Sequence, residues 1–309
     1  MNRFAIFIAL VGTGCTPAYL HSASRFADEG REQLRSLAPA ESLSSDLCLA
    51  RARLDLVNHR LSDRDHGWGS APSWSAWMEK HPDDAGKTWS QRCAQQKAGD
   101  AVLHQGTGLL AAYLAQMKGV AEGELPLGVS PTLVAKGISK AVEQLHAGMV
   151  SETAAAMEGP LTDAVDLMLK QYNAHELQPF LAQGDPVFQK LITALTNYVD
   201  SIDTERAEVE RMEGVVLDEL EQPLAKPSDQ EPARTVMFLE FAARVDEKLR
   251  ANARAVQAYR DTLASLSSTH HRLTRQALGL QPDGEQPPPR PEQMPGLMPA
   301  NQTPGDSAR

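Results

Sequence analysis

Aromatic residues are scarce. Phe, Trp and Tyr make up 5% of 309 residues, although 42% are hydrophobic. Leu and Ala carry the apolar surface instead, which is a helical bias. Positive charge is also short: the net charge is −10. The basic footprint of a nucleic-acid-binding protein is therefore missing, and nucleic acid is not an expected partner. An acidic surface favours solubility and is repelled by anionic lipid headgroups. No convincing stretch alternates with period two and β-branched runs are absent, which argues against strands. No HExxH, CxxC, Ser-His-Asp arrangement or nucleophile elbow is visible. The expectation is a protein that is not an enzyme and has no catalytic residues, metal or cofactor. Cysteine is limited to Cys15, Cys48 and Cys93. An odd number in an exported chain requires one of them to be explained separately.

What is present begins with MNRFAIFIALVGTGC. Arg3 precedes an apolar run from Phe4 to Val11, about eight residues. Crossing a bilayer takes roughly 20, so this run is too short to span. It has the size of a signal-peptide apolar region. Small residues follow, Gly12, Thr13 and Gly14, and then Cys15. The segment resembles the lipobox of bacterial lipoproteins. That resemblance implies a cut between Gly14 and Cys15, a diacylglycerol on the Cys15 thiol, and acylation of the new amino group. Thr16 is not acidic, which in the Gram-negative members implies sorting to the outer membrane. Gly12 stands where the family normally has Leu. The alternative is an ordinary secretory peptide cut elsewhere. One acyl chain holds a protein marginally and two or more hold it stably. The expected organisation is a signal peptide over 1–14 and a lipidated tether over 15–23. A helical bundle over 24–280 and a Pro-rich tail over 281–309 follow. The expected location is the cell envelope, lipid-anchored in the outer membrane and facing the periplasm.

The body reads as all-α: an elongated antiparallel helical bundle whose two long C-terminal helices form a hairpin. A first helix is expected from Ser24 or earlier to Leu37. A second opens at Pro39, with Leu43, Leu47, Ala50, Leu54, Val57 and Leu61 stepping as a heptad seam. Residues 62–84 read as an irregular loop. Asp84 is expected to cap a third helix running to about Ala121. Ser130-Pro131 opens a fourth, striped by Val134, Ile138, Val142 and Leu145. A fifth follows Ser151 and continues past Pro160 to about Tyr172, with a break at the proline as the alternative. A short turn is expected near Leu177. Asp185-Pro186 then opens a sixth helix, in which Phe188, Leu195, Ile202, Val209 and Val216 recur every seven residues. It ends at Pro223. The last helix opens at Pro232 and runs to about Leu278. Its seam, from Phe238 through Asn252 and His270 to Ala277, alternates steps of four and three without a slip. The tail from Gln281 holds eight of the 20 prolines and cannot build a core.

Several side chains invite a chemical reading. With Cys15 acylated, Cys48 and Cys93 are left as a natural disulfide pair in an oxidising compartment, the alternative being two buried thiols. The loop SDRDHGWGSAPSWSAWMEKHPDD holds Trp68, Trp74 and Trp77. These either anchor the loop to the bundle or form a partner-binding surface. Asp63, Asp65, His66, His81, Asp83 and Asp84 share that loop but lack calcium-loop spacing. Ala85-Gly86-Lys87-Thr88 has the look of the end of a phosphate loop, but His81 stands where its first glycine is required, and it reads as a helix start. Asn252 and His270 fall on the last seam, where a polar residue fixes register. His270-His271 raises metal binding or pH sensing as the alternative to a seam or solvent histidine. Glu205, Glu208, Glu210 and Glu213 read as a solvated face.

The function expected is a non-catalytic interaction or scaffold module, tied to the membrane by its N-terminal lipid and engaging an unidentified protein partner. The alternatives are a periplasmic binding or inhibitor protein of the immunity type, centred on the Trp68–Trp77 loop, and a membrane-active helical protein.

Overall fold

The structure, a computed structural model, describes residues 18–37, 42–62, 73–83, 85–124, 152–171, 174–221 and 231–280. Gly14, Cys15, Asp63, Asp65, His66, Trp68, Asp84, the helix expected over 130–145 and the Pro-rich tail lie outside them. The fold is all-α. The helices are α1 (Ala18–Ser36), α2 (Leu43–Ser62), α3 (Trp74–Lys80), α4 (Trp89–Glu122), α5 (Glu152–Ala155), α6 (Glu158–Lys170), α7 (Leu177–Glu221) and α8 (Glu231–Ala277). The one extended pairing among the described residues is a bridge between Pro82 and Thr88. No helix among them is long and apolar enough to cross a membrane.

The α7–α8 hairpin is the frame. At 1.5 Å per residue its 45- and 47-residue helices are about 68 and 70 Å long. Every seam position from Val245 to Leu273 is buried, and so are Phe188, Leu195, Ile202, Val209 and Val216 opposite. Polar pairs fix the antiparallel register, from Asp185–His270 through Gln189–Ser267 to Asp200–Arg260. The same contacts place the other helices. Phe26 of α1 lies near His270, and the Tyr259 hydroxyl donates to the Leu37 carbonyl at 3.5 Å. Asn252 Nδ2 donates to the Leu43 carbonyl at 2.8 Å, at the start of α2. Thus α1 and α2 follow one another along α8, antiparallel to it. α4 runs back beside α7 and is buried on most of its circumference.

Five sequence expectations are corrected. First, α1 begins at Ala18, inside the segment expected as a tether. Ala23 continues the buried face of Phe26, Ala27, Gly30 and Leu34, so those residues belong to the bundle. Second, α3 interrupts the loop expected over 62–84, capped by Ser73, whose hydroxyl accepts from the Ala76 N–H. Third, α4 is capped by Thr88. The Thr88 hydroxyl accepts from the Gln91 N–H, and the Gln91 side chain accepts from the Thr88 N–H. Fourth, Pro160 breaks nothing. It sits in the first turn of α6, where its missing N–H is not needed, and the break falls at residues 156–157. Fifth, α7 opens at Leu177 and runs straight through Pro186. An interior proline costs about 3 kcal/mol. Upstream of it Leu177, Phe180 and Leu181 are all buried. Each contributes about 1.5–3 kcal/mol, so burial wins.

α2 carries a second buried face that the heptad seam does not reveal. Leu43, Leu47, Ala50 and Leu54 join the main core. Cys48, Ala52 and Leu56 join a smaller core with Trp77, Trp89 and Cys93. The helix is wedged between two layers, so two stripes are apolar.

Candidate functional site

The smaller core holds three residues singled out from the sequence. Cys48 and Cys93 stand at disulfide-bonding distance, with Cα atoms 5.4 Å apart. Trp77 is 2% exposed and stacks on the His81 ring at 3.8 Å, with His59 5.0 Å from Trp77 and 5.4 Å from His81. It is an anchor and leaves no face for a partner. Burial lowers the His81 pKa, the nearby His59 adds to this, and Asp55 opposes it. Trp89 Nε1 donates to the Asp55 carboxylate at 3.0 Å. Asp83 is buried and structural. Its Oδ1 accepts the N–H groups of Ala85 and Lys87 at 2.9 Å, and its Oδ2 accepts Arg92 at 2.7 Å. Burial alone would raise its pKa, but these bonds outweigh it and lower it. Among the described residues no group of three or more His, Cys, Asp or Glu is arranged to hold a metal ion.

Trp74 is different. It is 36% exposed, and the Arg53 guanidinium lies over its ring at 5.6 Å. Arg53 in turn lines a groove between α2 and α8, with Phe241, Arg244, Val245 and Lys248, of about 700 Å³. A second cleft of about 340 Å³ continues it toward Leu43, Ala255 and Tyr259. Ala50, Lys248 and Ala251 line both. The lining of the groove combines the small side chains of Ala50 and Ala251 with Phe241 and Val245, and the rim carries both signs of charge. A surface of this kind can hold apolar side chains between flanking ion pairs. Arg53 was not singled out from the sequence because it lies off the α2 seam. Its position four residues before Val57 carries no signal of Trp74 nearby.

The acidic run on α7 is not uniformly solvated. The Glu205 side chain is only 9% exposed and receives Gln96 Nε2 at 3.0 Å and Arg92 at 3.5 Å. Burial raises its pKa against the attraction of Arg92. Next to it Asp100 of α4 caps α2 from outside. Its oxygens accept the Ser44 N–H at 3.0 Å and the Ser45 N–H at 2.9 Å, while the Ser44 hydroxyl donates to Gln96. These are free donors of the first turn of α2, where the helix dipole favours negative charge. Burial nevertheless pushes the Asp100 pKa up to about 6. Gly99 makes room for this arrangement: a Cβ there would overlap the Tyr198 hydroxyl.

A second polar chain crosses the opposite end. His270 is 0% exposed, stacked on Phe188 at 4.2 Å. Its Nδ1 lies 2.8 Å from Asp185 Oδ1, and its Nε2 lies 2.9 Å from the Tyr113 hydroxyl. The carboxylate only accepts, so Nδ1 carries the proton and Nε2 accepts from Tyr113. His271 Nδ1 donates to Asp185 Oδ2 at 2.9 Å. Burial lowers the His270 pKa, opposed by Asp185. Burial would raise Asp185, but the bonds from His270, His271 and Gln189 hold it far below the usual carboxylate range. Burial, then the Asp185 charge, push Tyr113 up. Locally Asp185-Pro186 is the pattern of a helix start; the bonds Asp185 makes depend on α8.

No family model, no curated protein and no solved structure matches this chain.

Proposed function

We propose that this chain is a lipid-anchored envelope protein, a non-catalytic interaction or scaffold module presented in the periplasm. The observation that supports it is the pairing of Cys48 with Cys93 at bonding distance. A disulfide suits an oxidising compartment, and the pairing leaves Cys15 as the odd cysteine, in a lipobox-like context. Two or more acyl chains on Cys15 hold the bundle at an outer-membrane surface without placing any helix inside it. The test is metabolic labelling with palmitate. Label enters the wild type and is lost in Cys15→Ser. Label absent from the wild type, or retained by Cys15→Ser, removes the anchor.

A second reading, a binding or inhibitor protein, is favoured by the exposure of Trp74 under Arg53. Exposed tryptophan and arginine are the side chains that most often dominate protein interfaces. Crosslinking and pulldown from native membranes test it. A stoichiometric partner lost on Trp74→Ala supports the reading, and a catch unchanged by that substitution removes Trp74 from the interface.

A further inference from the structure

We propose that the Tyr113–His270–Asp185 chain is an acid-sensitive latch that holds the first turns of α7, residues 177–185, against α4 and α8. The arm it holds has a built-in joint. Pro186 has no N–H to donate, so the carbonyl four residues before it receives no helical bond from that position. Prolines inside helices are where bends form. Asp185 sits at this joint and collects His270 Nδ1 at 2.8 Å, His271 Nδ1 at 2.9 Å and Gln189 Nε2 at 3.2 Å. Two of those three donors come from α8. On the other side Gly184 packs directly against the Tyr113 hydroxyl, where a Cβ would overlap it. The arm is thus fastened where its backbone is weakest.

The chain of protons has one arrangement. Tyr113 O–H donates to His270 Nε2, and His270 Nδ1–H donates to the Asp185 carboxylate. A proton added to His270 goes on Nε2 and sets two donors face to face at 2.9 Å. The Tyr113 hydroxyl then has to turn away, and the rings of Phe180 and Phe188 lie 5.1 Å from its own. It makes no other hydrogen bond among the described residues. A buried donor without a partner is costly. The charged groups that act on His270 are Asp185 from α7 and His271 from its own helix. α4 contributes the Tyr113 phenol and α1 the Phe26 ring. His271 is 48% exposed, and a charge on it opposes a second charge on His270.

The sign follows from linkage. A histidine freed by opening titrates near its ordinary 6.5, whereas burial holds His270 below that value in the closed arm. The closed state is fully favoured above pH 6.5 and loses ground as the pH falls below it. Asp185 stays ionised throughout this window, so it is the fixed end of the latch. One proton taken up on opening raises the opening equilibrium by up to about tenfold per pH unit. Opening uncovers Leu177, Phe180 and Leu181, all buried in the closed form. Acid thereby converts a closed bundle end into an apolar surface.

Hydrogen exchange on the full chain tests the latch, with intrinsic rates corrected for pH. Between pH 6.5 and 5.5 the opening constant of amides in 177–186 rises by up to about fivefold, while that of 195–205 stays within about twofold. His270→Gln flattens the response and His271→Gln retains it. If His270→Gln lacks native helicity at pH 7.5, Tyr113→Phe replaces it, since removing the opposing hydroxyl also blunts the response. Imidazole nitrogen shifts in the wild type decide the matter without a variant. A His270 that becomes protonated while 177–186 stays protected overturns the latch. So does a wild type with no pH response in 177–186, or one lost in His271→Gln alone.

Discussion

Replacing Cys48 and Cys93 together with alanine lowers the thermal midpoint by about 10 °C. The two cysteines are 45 residues apart in sequence. In the chain-entropy model, closing a loop of that length removes about 13 cal/mol/K from the unfolded ensemble, or about 4 kcal/mol at 25 °C. A domain of this size shifts by about 2–4 °C per kcal/mol. The loop also has something to hold. It contains α3, Trp77 and Trp89, and these pack with the cysteine pair into a small core of their own. That core is too small to be stable alone, so the crosslink and α2 are what keep it in place. The assay is far-UV circular dichroism melting of oxidised wild type, reduced wild type and Cys48→Ala/Cys93→Ala. Reduction alone reproduces most of the shift, because both cysteines are buried and truncating them to alanine removes little volume. Thiol titration of the denatured, unreduced protein finds neither cysteine reactive. Superimposable melts, or two free thiols at these positions, would show that no crosslink holds this core.

Three further outcomes are expected. Gly99→Ala destabilises the fold by about 2–3 kcal/mol in urea, because its Cβ overlaps the Tyr198 hydroxyl, and adding Tyr198→Phe recovers part of the loss in a double-mutant cycle. Asp100 has a folded pKa of about 6 against an ordinary 3.8, so its contribution favours the fold below about pH 4 and is lost as the pH climbs through 6; relative to wild type, Asp100→Asn therefore gains about 2 kcal/mol between pH 4 and 7 in parallel denaturation curves, and a difference that does not change with pH removes that assignment. Trp77→Ala costs about 3–5 kcal/mol as a buried truncation, whereas Trp74→Ala costs no more than about 1 kcal/mol, the scale of an exposed cation–π contact with Arg53.

A helix that packs on one side shows its buried face in sequence; one that packs on two sides does so only in part. The seams of α7 and α8 were legible because a helix that buries one stripe against one neighbour writes that stripe as steps of three and four. The disulfide pair was legible by counting cysteines, once Cys15 had another explanation. α2 was half legible: Leu43, Leu47 and Leu54 stand out, while Ser44, Cys48 and Ala52 mark a second face that looks polar or small. Glu205 reads like its neighbours Glu208 and Glu210, and only the approach of Arg92 and Gln96 from α4 separates it from them. Asp185 and Pro186 carry a strong local signal for a helix start, which the burial of Phe180 and Leu181 overrides.

The class is written in the chain: all-α, two long amphipathic helices in a hairpin, two cysteines at positions that a bundle brings together. These depend on periodicity and local chemistry, which act over one or two turns. Which polar side chains are buried, and what they face, depends on how the helices pack. Tyr113, Asp185 and His270 are separated by up to 157 residues, and no local pattern links them. Their meeting depends on the hairpin register and on the close approach at Gly184. Whether a carboxylate or an imidazole sits in water or among rings is a property of packing, and its charge state follows from that.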